Sequence, residues 1–163
     1  MKNEIVLLGK KILLDESDIV FEYHGAPNFE DYFDVKLGNW SYIDGCLVGK
    51  ELENRGGIIY VKERFDFDVM MTFKVATVLP ATRDLNAVWC SNWNEETNYL
   101  GNSYVCGLNG WYENKAGIER CGDNEFYSGT SLYKYTSGEF VEITCGSING
   151  HCFMFVDGVL VCE

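Results

Sequence analysis

The sequence is poor in the features that mark disordered, helical or membrane-spanning chains. It has only two prolines among 163 residues, and 47% of its residues are hydrophobic, which is typical of an ordered globular protein. Helical periodicity nowhere persists for three turns, which argues against a helical bundle. No apolar run approaches the roughly 20 residues that a transmembrane helix needs, so we expect no membrane span.

Basic residues are also scarce. Lysine and arginine total 13 against 25 aspartates and glutamates, and the formal net charge is −12. A chain of this charge repels phosphate backbones and anionic lipid surfaces, so we predict no nucleic-acid partner and no membrane partner. The acidic excess by itself indicates solubility rather than a particular function.

Histidine is nearly absent, and the seven cysteines contain no CxxC pair, so the usual spacing of a zinc site is missing. The odd number of cysteines, most of them in apolar or alternating runs, predicts free thiols that behave as small hydrophobic residues. The N-terminal apolar run at 5–8 is too short for the core of a secretory signal. Reduced thiols without an export signal predict a cytoplasmic protein.

Short runs rich in Val, Ile, Phe, Tyr and Thr recur along the chain, separated by Gly, Asn and Asp. At 65–75 the odd positions are apolar, which predicts a half-buried strand with its odd residues in the core. Asp157-Gly158 between apolar runs predicts a tight hairpin with positive φ at both turn residues. Residues 24–39 and 92–102 are predicted to be loops. The predicted strands lie near 11–14, 19–23, 42–52, 57–62, 65–77, 85–91, 102–108, 115–121, 131–135, 139–146, 151–156 and 159–162.

This pattern predicts an all-β protein, and the length fits one β-sandwich domain over residues 1–163. Aromatic residues make up 15% of the chain and are dense between 89 and 112, where asparagines are frequent too. Aromatic rings stack on the apolar face of a sugar and amides bridge its hydroxyls, so this segment predicts a glycan site. Core aromatics with turn asparagines are the alternative. The candidate ligand-binding aromatics are Trp89, Trp93, Tyr104 and Trp111, with Tyr99 and Tyr112 nearby.

Among many carboxylates, Glu119 is the best candidate for a catalytic acid or base. If Ile118 packs in the core, strand alternation turns Glu119 to the opposite face, where a sandwich keeps its cleft. A structural ion pair is the alternative for Glu119, and Glu95 and Glu113 are second choices. Arg120 beside it is a candidate ligand contact. So is His24, which lies next to a predicted loop and has a side chain suited to proton transfer.

The order of several segments resembles the concanavalin A-like lectin/glucanase superfamily, and more narrowly the YesU-type family and the 3-keto-glycoside hydrolase domains. The likeness includes the stretch Trp-Ser-Tyr-Ile-Asp-Gly-Cys-Leu at 40–47 and continues to the closing Asp-Gly hairpin. It implies a jelly-roll of two curved antiparallel sheets with a glycan on the concave face, and it transfers no catalytic residue. The Glu-x-Asp-x-x-Glu signature of sandwich-fold glucanases is absent. The other matching segments are 57–65, 117–120, 138–143 and 156–161.

These observations predict a carbohydrate-binding or carbohydrate-processing domain, with an oligosaccharide or glycoside as its partner and a glycoside hydrolase or lyase-like activity as an open question. A non-catalytic protein-interaction subunit is the alternative. We predict no cofactor, although the superfamily often holds structural Ca²⁺ and the loop at 123–125 carries suitable oxygen ligands. Domains of this type usually have a further closing strand, so we expect residues 4–8 to fill that edge within a monomer, or else a weak homodimer.

Overall fold

The computed structural model describes residues 4–52, 54–111, 115–122 and 125–163, without the side chains of Glu16 and residues 125–127. Throughout these ranges the chain forms β-strands, turns and two short 3₁₀ turns, and no α-helix, so the predicted all-β class is confirmed. No helix that is long and apolar enough to cross a membrane occurs in the same ranges.

The described chain divides into two compact units. The first consists of Leu13–Asp66 with Glu4, and the second of Ile5–Ile12 with Phe67–Glu163. An N-terminal hairpin of β1 (Glu4–Leu7) and β2 (Lys10–Leu13) belongs mostly to the second unit. The prediction of one domain over 1–163 stays a prediction.

The first unit contains two antiparallel strand pairs and a group of aromatic rings. The rings of Phe21 and Tyr23 both contact Phe33, at centroid distances of 5.8 and 5.0 Å. The indole of Trp40 donates a hydrogen bond to the Leu37 carbonyl. The pairs are β3 (Phe33–Leu37) with β6 (Ile58–Val61), and β4 (Asn39–Ile43) with β5 (Cys46–Lys50).

The second unit is a β-sandwich of two four-stranded antiparallel sheets, as predicted. Sheet A has the strand order β13-β12-β11-β8, and sheet B has the order β16-β15-β14-β7. A small hairpin, β9 with β10, lies between β8 and β11 in the chain. The strands are β7 (Val69–Val75), β8 (Leu85–Trp89), β9 (Trp93–Asn94), β10 (Tyr99–Leu100), β11 (Ser103–Gly110), β12 (Lys115–Cys121), β13 (Glu125–Thr130), β14 (Val141–Ile148), β15 (His151–Val156) and β16 (Val159–Cys162).

The core of the sandwich lies between the two sheets. At its centre, Cys106 on sheet A and Cys145 on sheet B are completely buried, and their thiols form a hydrogen bond that, together with burial, raises the pKa of Cys145. Met71 and Phe73 of β7 pack against this core, so the alternation predicted for 65–75 is confirmed over Val69–Val75. Other core residues are Leu85, Ala87, Trp89, Leu108, Ala116, Ile118, Ile143, Met154 and Val156.

The opposite faces of both sheets are also covered near their centres. Phe153 alternates with core-facing Met154 on β15, yet it is 0% exposed. Val105 alternates with core-facing Cys106 on β11 and is 5% exposed. Neither sheet therefore presents an open face at these positions.

The predicted turn geometry is confirmed. Asp157 and Gly158 have φ of 49° and 75°. Both values lie in the left-handed region that a type I′ hairpin turn requires, and that glycine adopts without strain. Asn149-Gly150 connects β14 to β15 in the same way, with φ of 52° and 73°.

Several predicted boundaries are wrong. Residues 19–23 and 131–135 are not strands. Phe21 and Tyr23 pack their rings against neighbouring aromatics instead, and Tyr135 is buried with its hydroxyl donating to the Glu139 carbonyl. Apolar content marked these segments as strands, but tertiary packing decides β-structure more than propensity does. The predicted loop at 24–39 contains β3, and the predicted loop at 92–102 contains the β9–β10 hairpin. The strand β13 was not predicted. The predicted strand at 42–52 is the β4–β5 hairpin.

The expected closing role of the N-terminal segment differs from what the structure shows. β1 pairs with β2 rather than with sheet B, where β16 occupies one edge. The Leu8 amide, at the hairpin turn, donates a hydrogen bond of 3.0 Å to the Glu163 carboxylate. A local hairpin needs only a Leu8-Gly9 turn, which is entropically cheaper than a long-range pairing.

We predict that Phe153→Ala destabilises the protein by about 3–5 kcal/mol, because it leaves a large cavity at a fully buried site. Urea unfolding measures the change. Phe140→Ala is the matched control, since Phe140 is 65% exposed and should alter stability by less than about 0.5 kcal/mol. Equal losses in the two variants would contradict the burial of Phe153.

Candidate functional site

Two neighbouring clefts lie at one end of sheet A, where β8 and β12 end and β11 begins. The smaller cleft, of about 320 Å³, and the larger cleft, of about 840 Å³, share Asn102 in their walls. This end is formed by the segment between β8 and β11, because the β9–β10 hairpin is inserted there. The site is thus at the edge of the sandwich rather than across a sheet face.

The smaller cleft contains two of the predicted ligand-binding residues, Tyr104 and Arg120. Tyr104 on β11 is the cross-strand partner of Arg120 on β12 and of Trp89 on β8. Cross-strand partners stand side by side on one face of a sheet. The register therefore places these three predicted residues in one row. The remaining lining residues are Cys90, Asn102 and Ser103.

Trp89 contributes to this row from the core. Its side chain is 4% exposed, and its ring stacks on Tyr104 with a centroid distance of 5.9 Å and an interplanar angle of 23°. No oxygen or nitrogen of the described residues accepts a hydrogen bond from its indole N–H. Burial raises the pKa of the Cys152 thiol to about 11. The Trp89 N–H lies beside this thiol and partly offsets that rise in pKa. Trp89 supports the Tyr104 ring and is too buried to be a ligand platform itself.

The larger cleft combines aromatic rings with amides, as the sequence predicted for this part of the chain. Trp93 and Tyr99 lie on the paired strands β9 and β10, and both line the cleft. The Asn94 side chain accepts hydrogen bonds from the amides of Glu96 and Thr97, which holds the tip of the hairpin. The other lining residues are Asn92, Asn94, Glu95, Glu96, Thr97, Leu100, Gly101, Asn102 and Gly122.

Two glycines let the amides of this cleft lie close to the backbone. A Cβ at position 122 would lie 2.6 Å from Oδ1 of Asn102, and one at position 101 would clash with Oδ1 of Asn92. Gly122 also has φ of 105°, which side chains rarely adopt. Asn92 and Asn102 are further linked by a backbone hydrogen bond of 3.1 Å. The absence of side chains at 101 and 122 therefore leaves the space that both amides occupy.

Glu119 lies on the opposite face of β12 from Tyr104 and Arg120. Ile118 is in the core, so the predicted orientation of Glu119 is confirmed. Its carboxylate accepts hydrogen bonds from the indole of Trp111 and from the Cys121 thiol. Burial, with a further contribution from the Glu119 charge, raises the pKa of Cys121 to about 11. The structure joins two predicted site residues here, Glu119 and Trp111, but neither lines the two clefts.

His24 belongs to the first unit and its side chain is 85% exposed, 3.8 Å from the Glu22 carboxylate. Its predicted role as a ligand contact stays a prediction. Among the described residues, no group of three or more His, Cys, Asp or Glu side chains is arranged to hold a metal ion. Outside the described residues lie Tyr112, Glu113, Asn114, Asp123 and Asn124, and the side chain of Glu125 is not described either.

Sequence reasoning did not foresee the contributions of Cys90, Ser103 and Cys121. Cys90 falls within the predicted strand at 85–91, but it follows β8 with φ of 48° and lies in the wall of the smaller cleft. Asn102 was one of several asparagines, and only the structure shows that it borders both clefts. Gly101 and Gly122 are the sequence signal for the positions of Asn92 and Asn102, since a glycine often marks a place where another group approaches the backbone closely.

Comparison of the chain with protein-family models, with curated proteins and with solved structures found no match.

We predict that Glu119→Gln makes Cys121 more reactive toward iodoacetamide at pH 8. Alkylation requires the thiolate, which is about one thousandth of Cys121 when its pKa is about 11. Burial remains in the variant, but the carboxylate charge that also raises this pKa is removed, so the pKa falls and the rate increases. Mass spectrometry of the Cys121 peptide against time measures the rate.

Cys46, which is exposed and belongs to the other unit, provides the internal control and should react at an unchanged rate. Glu142→Gln on sheet B is the matched charge control. An unchanged Cys121 rate in Glu119→Gln would contradict the contact between the thiol and the carboxylate.

Proposed function

We propose that the protein binds an oligosaccharide or glycoside in the two clefts at the end of sheet A. The observation that carries this proposal is the larger cleft, where two aromatic rings, Trp93 and Tyr99, lie among the amides of Asn92, Asn94 and Asn102. Apolar rings with a few directed polar groups suit a ligand that has apolar C–H faces and vicinal hydroxyls. Saccharides have this chemistry.

The volume of the cleft and the strands that carry its aromatic residues support the same ligand class. Its volume of about 840 Å³ accommodates more than one sugar unit, within the usual range of ligand sites. Trp93 and Tyr99 stand on paired strands, with Leu100 opposite Trp93 and Asn94 opposite Tyr99, so the two side chains leave opposite faces of the hairpin. The Asn94 hydrogen bonds hold the hairpin tip. A residue that is ordered before binding loses less conformational entropy when the ligand binds.

The family assignment remains part of the proposal. Two antiparallel four-stranded sheets are consistent with the concanavalin A-like superfamily that the sequence resembles. We propose further that the strands are connected as in the jelly-roll of that superfamily. A glycan in the clefts at the sheet end would bind at a different place from the concave face that the resemblance implies. Val105 and Phe153 are buried where such a face would be open.

We predict that Trp93→Ala weakens saccharide binding by about tenfold, because a stacked ring contributes about 1 kcal/mol beyond its buried area. Glycan-array screening with neutral and acidic oligosaccharides, followed by calorimetric titration, measures the affinity. Phe140→Ala is the matched control, since Phe140 lines neither cleft. The proposal fails if no saccharide binds at millimolar concentration.

A catalytic role for Glu119 in hydrolysis or elimination at a glycosidic bond is a separate proposal. Both carboxylate oxygens accept hydrogen bonds, from Trp111 and Cys121, and the group lines neither cleft. We expect Glu119→Gln to abolish turnover of a bound glycoside if Glu119 is the acid or base. Reducing-sugar release measures this, with Glu142→Gln as the control. Full turnover in Glu119→Gln would remove Glu119 from the mechanism.

A second candidate function is a protein-interaction subunit. Val78, Leu79 and Phe140 are all largely exposed, and the Leu79 side chain lies next to the backbone at Gly138. Exposed apolar groups on neighbouring loops are typical of interaction surfaces. Stoichiometric co-purification of a partner, lost in Phe140→Ala and retained in Trp93→Ala, would favour this function.

A cytoplasmic location is proposed with either function, since all seven cysteines are free thiols.

A further inference from the structure

Consecutive residues of one segment lead from the larger cleft to the smaller one. Leu100 and Gly101 line the larger cleft, and Ser103 and Tyr104 line the smaller cleft. Asn102 lies between these pairs and lines both. Four residues of extended chain span at most about 14 Å, so the two clefts adjoin at Asn102.

The Asn102 side chain is open to a ligand at this boundary. It is exposed, and its amide has no hydrogen-bond partner among the residues that the structure describes. Its backbone is held, because the Asn102 carbonyl accepts a hydrogen bond from the Asn92 amide at 3.1 Å and the Asn92 carbonyl accepts one from the Gly101 amide at 2.9 Å. A side-chain amide both donates and accepts, so it can contact two hydroxyls at once.

We propose that the two clefts are adjoining subsites for one linear oligosaccharide, that the units on either side of Asn102 share its amide, and that Gly122 positions this amide. The inference rests on the proposed function and adds the minimum length of the ligand. Units that are linked covalently bind the second subsite as an intramolecular step, so the affinity of an oligomer exceeds that of its separate units.

Gly122 acts on the ligand only through Asn102. A Cβ at position 122 would lie 2.6 Å from Oδ1 and 3.7 Å from Cγ of Asn102. Oδ1 is at the free end of a side chain, so an alanine at 122 is accommodated by rotation of the amide rather than by movement of the Asn102 backbone. Gly122 also has φ of 105°, so alanine adds backbone strain there, and the test needs a control for that strain.

The test measures affinity against chain length. The probes are linear oligomers of glucose, mannose, xylose or another sugar that binds on the glycan array, each used from one unit upward in calorimetric titrations. We expect the affinity to rise by at least about tenfold with length and to stay constant once both clefts are filled. The longest oligomers should bind with one oligomer per protein molecule.

Asn102→Ala should reduce the gain in affinity with length by about two- to tenfold, which is the usual contribution of a hydrogen bond. Asn39→Ala is the matched control, since Asn39 is exposed, belongs to the first unit and lines neither cleft. It should leave the gain unchanged.

Gly122→Ala should reduce the same gain, and the double variant Gly122→Ala/Asn102→Ala should lose no more than Asn102→Ala alone, because both changes act on one amide. Gly150→Ala is the control for strain. Gly150 has φ of 73°, a Cβ there meets nothing within 4 Å, and it lines neither cleft. Additive losses in the double variant would overturn the positioning role of Gly122.

Urea unfolding midpoints show whether each variant remains folded, and Asn102→Ala, at an exposed position, keeps the test valid if Gly122→Ala does not fold. Equal affinities for one unit and for long oligomers overturn the inference while leaving saccharide binding intact. Two long oligomers bound per protein molecule also overturn it. Binding of no saccharide at all would instead remove the proposed function.

Discussion

The structure of the second unit depends on the burial of apolar side chains between two four-stranded sheets. Cys106 and Cys145 meet at the middle of this interface, and Leu108, Ile143 and Met154 fill the space around them. Small thiols at the centre let the sheets approach closely, since interiors pack at crystal-like density. The hydrophobic effect at this interface fixes which strand residues point inward. It thereby fixes which residues point outward and which reach the sheet end.

The candidate site follows from that alternation. Because Cys106 and Ile118 are held in the core, Tyr104 and Arg120 share the core-side face and emerge where the sheet ends. Glu119, one residue from Arg120, is turned to the other face and meets Trp111. A shift of one residue in the β11–β12 register would exchange the two groups. Residues that are adjacent in sequence therefore lie on opposite faces of the sheet.

The insertion of the β9–β10 hairpin turns the sheet end into a pair of clefts. Its short strands carry Trp93 and Tyr99, while Gly101 and Gly122 allow the amides of Asn92 and Asn102 to approach the backbone. The sandwich strands carry Tyr104 and Arg120, and the inserted segment carries the aromatic residues and most of the amides that line the larger cleft. This division is common where binding residues are carried on connections between strands of a stable scaffold.

The sequence by itself determined the all-β class, the Asp157-Gly158 hairpin, the inward face of β7 and the opposite orientations of Ile118 and Glu119. Each follows from local rules of alternation or turn geometry. It also located the aromatic and asparagine-rich segment. Only the tertiary structure decided that Trp89 is buried beneath Tyr104, that Trp93 lines a cleft, and that residues 19–23 are not a strand. Those outcomes depend on contacts between strands distant in sequence, which no local pattern specifies.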